Sequence, residues 1–262
     1  MSENKEGQKK VPVSVVVITK NEERNIEDCL TSVTWADEII VLDDCSTDRT
    51  VEIAHKFTDR VSERKMDVEG THRNYAYSLA SNEWVFSLDA DERVTPELAS
   101  EITQLLSNLE EAREYYGYTV PRRNYIGKRW LKYGGWYPSA QLKLFRRDEF
   151  KYEEVEVHPR AFMDGPCGHL KGDLIHYSYR DLANFLSKLN KQTDWEAAKW
   201  VKDNRKVGLL KSLRKTVDRF IKSYIIKRGY KDGFLGFMAA YFNSLYQLIS
   251  YAKYREKKEE KE

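Results

Sequence analysis

Hydrophobic positions in the first hundred residues alternate between short continuous runs and longer amphipathic stretches. Residues 13–19, Val-Ser-Val-Val-Val-Ile-Thr, are mostly β-branched, which is typical of a strand buried on both faces of a parallel sheet. The same criteria predict further strands at residues 38–43 and 84–89, and helices at residues 22–33, 49–57 and 72–80. Strands that alternate with helices predict an α/β fold with a mainly parallel sheet flanked by helices.

The pattern changes after residue 204. Between residues 209 and 225, apolar side chains recur every three or four positions with Lys and Arg between them, which predicts a basic amphipathic helix. Residues 233–252 carry no charge, close to the length that crosses a bilayer. Asn243, Gln247 and Ser250 form a polar stripe on that helix, however, so we predict a helix that lies on a membrane or packs on the protein body.

Charge is distributed unevenly along the chain. Residues 205–231 contain ten Lys or Arg and one Asp, a charge of +9, so the remainder carries −7 of the net +2. An anionic membrane surface would attract this segment. Two alternatives stay open: the helices dock on the catalytic domain with their lysines in water, or the segment binds nucleic acid. We favour the membrane and predict no nucleic acid among the partners.

Length and composition indicate a globular protein of one large domain, or of one domain with an appendage. The chain has 262 residues, a mean hydropathy of −0.70 and 13% aromatic residues. Its three cysteines, Cys29, Cys45 and Cys167, have no disulfide or zinc spacing, and the N-terminus has no apolar secretion segment. We therefore predict a cytoplasmic protein. The predicted divisions are a disordered tail at 1–10, a catalytic domain at 11–204, a basic amphipathic helical segment at 205–252 and a charged tail at 253–262.

Acidic residues follow the predicted strands. Residues 19–22 are Thr-Lys-Asn-Glu, residues 43–48 are Asp-Asp-Cys-Ser-Thr-Asp, and residues 89–93 are Asp-Ala-Asp-Glu-Arg. Ligands of α/β sheets bind beyond the carboxyl ends of the strands. No glycine-rich loop follows the first strand, which excludes dinucleotide-dependent oxidoreductases and P-loop NTPases. A lone Asp-x-Asp occurs by chance, but its position after a strand favours a site for Mg²⁺ or Mn²⁺.

Together these motifs resemble the family 2 inverting glycosyltransferases, in particular the subgroup similar to lipopolysaccharide core glucosyltransferases. The resemblance rests on residues 15–22, 43–48, 70–74, 89–92, 141–147, 157–158 and 176–179, and it covers about residues 11 to 200. It implies an A-type glycosyltransferase fold, a nucleotide-diphosphate-sugar donor, a divalent cation (Mg²⁺ or Mn²⁺) and transfer with inversion to a glycan or lipid-linked acceptor. Oligomeric state is not implied.

The resemblance also implies roles for individual residues. Donor-binding candidates are Thr19, Asn21, Glu22, Asp43, Asp44, Ser46, Arg73 and Asp89. Asp91 and Asp89 are its metal candidates. His176 is a further candidate on its position alone, since a histidine at a predicted strand-to-helix junction near the diphosphate can contact the metal or a phosphate; a structural histidine is the equal alternative.

The general base is less well defined. The subgroup often has Val-His-Glu where this chain has Val-His-Pro at residues 157–159. In an extended segment, Glu154, Glu156 and His158 share one face, so we take Glu156 as the first candidate base and Glu154 as the second, with His158 beside them. Solvent-facing acids on an edge strand are the alternative. Ser178 and Asp181 predict a capping box before a helix to about residue 201.

Aromatic residues near two glycines are candidates for an acceptor platform. Trp130, Trp136 and Tyr137 flank residues 134–135, with Gln141 close by, although Trp and Tyr are also ordinary core residues. Two other functions remain as alternatives: a sugar nucleotidyltransferase, which would need a Gly-rich loop after the first strand, and a non-catalytic membrane or nucleic-acid adaptor. When bound to a membrane, the enzyme is expected on the inner face of the cytoplasmic membrane.

Overall fold

A computed structural model describes residues 10–154 and 160–259. The chain divides into two compact units, Met1–Arg122 with Ala140–His176, and Arg123–Ser139 with Tyr177–Glu262. The strands in the described residues are β1 (Val11–Thr19), β2 (Ala36–Asp43), β3 (Val61–Glu63), β4 (Trp84–Asp89), β5 (Glu92–Val94), β6 (Gly117–Val120), β7 (Arg122–Ile126), β8 (Arg129–Trp130), β9 (Gln141–Arg146), β10 (Lys151–Tyr152), β11 (Ala161–Phe162), β12 (Cys167–His169) and β13 (Leu174–Tyr179). The α-helices are α1 (Ile26–Thr31), α2 (Thr50–Ala54), α3 (Glu69–Ser78), α4 (Pro96–Ser107), α5 (Leu109–Ala112), α6 (Leu182–Lys202), α7 (Leu209–Phe220) and α8 (Gly233–Glu259).

The first unit is built on a seven-stranded sheet in the order β12-β6-β9-β4-β1-β2-β3. Strand β1 pairs in parallel with β2 and β4, and β2 pairs in parallel with β3, whereas β9 runs antiparallel to β4 and β6. The three strands predicted from the hydrophobic runs are confirmed. The register places Thr19 opposite Asp43 and Ile18 opposite Asp89, so the carboxyl ends of β1, β2 and β4 lie side by side.

Each face of this sheet has its own core. Alternate residues of β1 point to opposite faces, and Val15 and Val16 are both fully buried. The face that contains Val15 packs with α1 and α4, and the face that contains Val16 packs with Ala76 and Tyr77 of α3. Burial on both faces explains why β1 is an apolar run rather than an alternating one.

Helix starts differ in part from the sequence prediction. Thr95 caps α4, because its hydroxyl accepts a hydrogen bond from the Leu98 amide and Pro96 follows at the first helical position. The capping box predicted to begin at Ser178 is wrong. Ser178 belongs to β13, and Asp181 is the N-cap of α6, where its carboxylate accepts the Asn184 amide at 2.7 Å.

The second unit contains α6, α7 and α8. Helix α8 packs on both α6 and α7, and its buried side includes Ser244, Gln247 and Ser250. Of the predicted polar stripe of α8, Gln247 and Ser250 are therefore buried, whereas Asn243 is half-buried. Within residues 10–154 and 160–259, no helix combines the length and the apolar character that a membrane crossing requires.

Candidate active site

A tight turn joins β4 to β5 and carries both aspartates of the Asp-x-Asp motif. Strand β4 ends at Asp89, and β5 begins at Glu92. The Glu92 side chain is fully buried, and its Oε2 accepts a hydrogen bond from the Asp89 amide at 3.0 Å. Glu92 therefore stabilises the turn through its buried carboxylate. Asp89 and Asp91 both line one cavity.

Two cations hold the Asp89 carboxylate. Lys143 Nζ lies 3.0 Å from Oδ2, and the Arg73 guanidinium lies 3.5 Å from Oδ1. Burial favours the neutral acid, but Lys143 and Arg73 outweigh it and hold the pKa of Asp89 well below its usual range. Asp89 is therefore an anion at neutral pH.

Lys143 joins the two acids of the turn. It comes from β9, is buried, and places Nζ 2.6 Å from Glu92 Oε2 as well as beside Asp89. Burial lowers its pKa, but the two carboxylates outweigh that effect and raise it above the ordinary value of lysine. We did not predict Lys143 or Glu92 from the sequence. The available signal was a lysine inside the otherwise apolar centre of a strand, Leu-Lys-Leu-Phe.

Asp91 is paired with His176. Asp91 Oδ2 lies 3.6 Å from His176 Nε2, and strand pairing sets His176 opposite Glu92. The side chains of Asp91 and His176 are 19% and 18% exposed, and both line the cavity.

The oxygen and nitrogen ligands of this pair fit a divalent cation that takes only a few of its ligands from the protein. A Mg²⁺ ion takes one or two carboxylates and completes its shell with water and phosphate oxygens, and Mn²⁺ also accepts imidazole and carboxylate ligands. Asp91 and His176 provide such a pair, whereas the Asp89 carboxylate is already neutralised by Lys143 and Arg73. The described part of the chain contains no group of three or more His, Cys, Asp or Glu arranged to hold a metal by themselves.

The ends of β1 and β2 supply the donor candidates, which the structure divides into two sets. Thr19, Glu22 and Asp44 line the cavity together with Arg73 and Asp89. Asp43, Asn21 and Ser46 are not among the cavity-lining residues. They form the loop behind it: Asp43 is fully buried and accepts hydrogen bonds from the Ser46 amide at 2.6 Å and hydroxyl at 2.5 Å, and Asn21 accepts the Thr47 amide at 2.8 Å.

Asp44, the residue directly after β2, is an acid that faces the cavity. Its carboxylate accepts the Met66 amide and binds Lys20 Nζ, each at 2.7 Å. Burial raises its pKa, but the hydrogen bonds from Lys20 and Met66 outweigh that effect and lower it.

His72 lines the same cavity and is fully buried. Burial and the nearby Arg64 lower its pKa, so its imidazole is neutral at pH 7.

Helix α3 positions Arg73 against the hairpin of β10 and β11. The Arg73 guanidinium lies 5.6 Å from the ring centre of Tyr152. Asn74 holds the same residue, since its side chain donates to the Tyr152 carbonyl at 2.9 Å and accepts the Tyr152 amide at 2.8 Å. Gly70 permits this contact, because a Cβ there would lie 1.8 Å from the Glu153 carbonyl oxygen.

The cavity formed by these elements has a volume of about 720 Å³, within the range of pockets that enclose small ligands, roughly 300–1,000 Å³. Its walls carry both acidic and basic side chains. The acids lie at the strand ends, and the basic residues are Arg73, Lys143, Arg122 and Lys20. Tyr152 and Ala161, which face each other across the hairpin, also line it.

Two of the three base candidates, Glu156 and His158, lie outside the described residues. Glu154 is 51% exposed, and its carboxylate lies 3.3 Å from Lys151 Nζ. It is not among the cavity-lining residues. The segment that contains Glu156 connects Tyr152 and Ala161, both of which line the cavity.

The acceptor candidates fall in different units. Gln141 lines the cavity of the first unit. Trp130, Trp136 and Tyr137 belong to the second unit, where Trp136 packs in a hydrophobic cluster with Phe185, as a core residue does, and Trp130 stacks edge to face with Tyr137 at 5.4 Å. The acceptor role of the three aromatic residues stays a prediction.

Acids and cations around one cavity, at the carboxyl edge of a mostly parallel sheet, define an enzyme site for a charged ligand. Residues 14–164 match Glycosyl transferase family 2, and the chain belongs to this family. It is an inverting glycosyltransferase with the predicted A-type fold, which favours sugar transfer over nucleotidyl transfer or a non-catalytic adaptor.

The chain is also similar to known proteins. The chain is 26% identical over 255 residues to LpsC of Rhizobium meliloti, a lipopolysaccharide core biosynthesis glycosyltransferase, with 93% of this chain and 92% of LpsC covered. It is also 26% identical over 261 residues to an uncharacterized glycosyltransferase of Rickettsia typhi, covering 93% and 87% of the two chains. A crystal structure of Staphylococcus aureus TarS in complex with UDP aligns with a TM-score of 0.47 at 14% identity, covering 94% and 91%. The predicted resemblance to the lipopolysaccharide core subgroup is confirmed by LpsC.

Proposed function

We propose that this chain transfers a sugar, with inversion, from a nucleotide-diphosphate-sugar to a hydroxyl group of a glycan or lipid-linked saccharide. One observation carries the proposal: Asp89, Asp91 and Arg73 line a single cavity at the carboxyl edge of the sheet of a family 2 glycosyltransferase. The size of the cavity and its mixture of acids and cations suit a ligand that combines a nucleoside, a diphosphate and a sugar.

The donor occupies the cavity along the ends of β1, β2 and β4 in this proposal. Thr19, Glu22 and Asp44 contact the nucleoside, with Asp43, Asn21 and Ser46 holding the loop behind them. Thr19 supports this assignment, because its hydroxyl is buried, lines the cavity and has no hydrogen-bond partner among the described residues. A ribose or base atom would satisfy it. Asp89, held as an anion by Lys143 and Arg73, accepts a hydroxyl of the ribose.

The diphosphate lies next to Asp91, His176 and Arg73. Asp91 and His176 would hold Mg²⁺ or Mn²⁺, which when bound supplies a Lewis acid to the phosphate oxygens. Arg73 stays charged at any pH of interest, because Asp89 and other acidic groups raise its pKa despite its burial. Its guanidinium stabilises the negative charge that develops on the departing diphosphate.

The acceptor hydroxyl approaches the anomeric carbon from the face opposite the leaving diphosphate. A carboxylate takes its proton, and a positioned base contributes about 10²- to 10⁴-fold to such a step. Glu156 is the first candidate because its segment connects two residues of the cavity wall, Tyr152 and Ala161. Glu154 is the second, with His158 beside them. Gln141 orients the acceptor in this proposal, and Trp130, Trp136 and Tyr137 remain candidates for its platform.

The acceptor class and the cellular location follow from the relatives and from the cysteines. Similarity to LpsC supports a saccharide of the lipopolysaccharide core as the acceptor. All three cysteines are unpaired in the structure, which suits a reducing compartment, so we place the enzyme in the cytoplasm, at the inner face of the membrane when it acts on a lipid-linked acceptor.

A transfer assay tests this proposal. The purified chain is incubated with Mn²⁺ or Mg²⁺, a panel of nucleotide-sugars and a lipopolysaccharide-core or lipid-linked saccharide acceptor, and nucleoside diphosphate release is measured with the anomeric configuration of the product. We expect release that depends on the acceptor and an inverted linkage. Glu156→Gln should lower turnover at least 100-fold while donor affinity is kept. A retained anomeric configuration, or no release with any nucleotide-sugar, would contradict the proposal.

A further inference from the structure

Helix α7 and Ile221, the residue that follows it, expose a row of aliphatic side chains. Leu210 is 82% exposed, Val217 56%, and Leu213 and Ile221 40% and 44%. The spacing of these four residues places them on one face of a helix, and we call them the α7 face. The π-helical turn that follows, Ile221–Ile226, extends it with Ile225 and Ile226, which are 53% and 69% exposed.

The buried side of α7 is polar over its first turns, and at its end Phe220 packs against Phe237 of α8. Ser212 is 2% exposed, and its hydroxyl donates to the Gly208 carbonyl at 3.1 Å. One turn later, Thr216 donates to the Ser212 carbonyl at 3.0 Å. A surface helix ordinarily buries its apolar stripe against the core. Since α7 packs on α8 and yet keeps its leucines outside, the α7 face contributes little to the core of its own unit.

Cations surround this helix. Residues 205–231 carry a charge of +9, and Lys211, Arg214, Arg219, Lys222 and Lys227 are all exposed. Asp218 is the one acid of the segment and lies 3.6 Å from Arg214. The surface therefore combines a row of exposed apolar side chains with a strong positive potential, and its partner must be both apolar and anionic.

We propose that the α7 face docks in the plane of an anionic phospholipid bilayer. Leu210, Leu213, Val217 and Ile221 enter the boundary between headgroups and acyl chains, and the lysines and arginines attract acidic headgroups. Each such cation near the surface contributes about fivefold in affinity. This inference is independent of the proposed reaction, because it concerns the second unit and needs no sugar or nucleotide.

Two other occupants explain less of the surface. Nucleic acid would account for the cations but would leave the 82% exposed Leu210 in water. A second copy of the chain would cover the leucines but would oppose one +9 segment to another, which is repulsive at short range. The bilayer matches both properties at once.

Vesicle flotation tests the proposal with the full chain. Wild-type protein is mixed with vesicles of phosphatidylcholine alone, or with vesicles that also contain 30 mol% phosphatidylglycerol. All mixtures are kept at about physiological ionic strength. We expect flotation with the anionic vesicles, at least tenfold above that with phosphatidylcholine alone. The double variant Leu210→Gln/Val217→Gln should bind at least tenfold more weakly. Trp195→Gln on α6 is the matched control, since Trp195 is also an exposed apolar residue, at 57%, and it should bind as the wild type does.

A second pair of variants tests the charge. Lys211→Gln/Lys222→Gln should lower flotation at least tenfold, whereas Lys56→Gln/Lys65→Gln, which removes two exposed lysines from the first unit, should leave it nearly unchanged. Far-UV circular dichroism and melting temperature confirm that each variant is folded. The proposal is overturned if wild-type protein does not bind anionic vesicles, or if Leu210→Gln/Val217→Gln floats as well as Trp195→Gln does. It is also overturned if the protein binds an oligonucleotide or itself and shows no binding to vesicles.

Discussion

Lys143 Nζ lies 3.0 Å from Asp89 and 2.6 Å from Glu92, so one buried cation holds the first aspartate of the Asp-x-Asp turn and the acid beneath it. Without Lys143, the fully buried Glu92 would keep only the Arg122 guanidinium, 3.5 Å from its Oε1, and Asp89 would keep only Arg73, so two carboxylates in a poorly solvated site would lose the cation that they share. The turn that presents Asp91 to the cavity therefore depends on a residue of another strand.

Replacing Lys143 by Met is expected to destabilise the protein by about 3–5 kcal/mol, the usual effect of removing one partner of a buried ion pair. Urea denaturation followed by circular dichroism measures this change. Lys56→Met is the matched control on an exposed lysine, expected within about 0.5 kcal/mol of wild type. In the double variant Lys143→Met/Glu92→Gln, part of the loss should be recovered, because the neutral amide needs no cation. Equal stability of Lys143→Met and Lys56→Met would show that the ion pairs do not support the turn.

The buried His72 is expected to make stability fall with acid. Burial and Arg64 lower its pKa in the folded state. Below about pH 6.5 the imidazole is therefore protonated in the unfolded chain while it stays neutral in the folded protein. Stability should decrease by up to about 1.4 kcal/mol per pH unit while only the unfolded state is protonated. Denaturation midpoints measured from pH 7 to pH 5 should show this slope in wild-type protein and in His55→Gln, an exposed histidine. His72→Gln should flatten it; an unchanged slope would assign the effect to other groups.

Gly70 is expected to be intolerant of a side chain. A Cβ at this position would lie 1.8 Å from the Glu153 carbonyl oxygen, so Gly70→Ala must displace the backbone that follows β10. We expect the free energy of unfolding to fall by about 1–3 kcal/mol, typical of overpacking. The donor KM should rise, because Glu153 follows Tyr152, whose ring contacts Arg73. Gly208→Ala is the control, since nothing lies within 4 Å of a Cβ there. If both variants behave alike, the close approach at Gly70 has no energetic consequence.

The sheet and its acidic edge could be predicted from the sequence, because a strand buried on both faces produces a continuous apolar run such as residues 13–19 and because parallel strands end at a common edge. Which acids line the cavity could not be predicted. Asp43 and Asp44 are adjacent, yet Asp43, the last residue of β2, binds Ser46, whereas Asp44, one residue beyond the strand, lines the cavity. Lys143 was missed because a single lysine in an apolar strand acquires meaning only when β9 pairs with β4 and places it beside Glu92. For α7, the hydrophobic pattern predicted an amphipathic helix but not that the apolar side would be the exposed one.

The edge bearing Asp89 and Asp91 is expected to bind a nucleoside diphosphate together with a divalent cation. Thermal unfolding of wild-type protein and of Asp91→Asn with UDP, dTDP, GDP or ADP, each with and without Mn²⁺, tests it most directly. A ligand at a hundred times its Kd stabilises by about 2.7 kcal/mol, so at least one nucleotide with Mn²⁺ should raise the wild-type melting temperature by several degrees, while Asp91→Asn, folded but lacking the carboxylate, should shift little. Equal shifts in both proteins, or no shift of wild-type protein with any of the four nucleotides, would contradict the account.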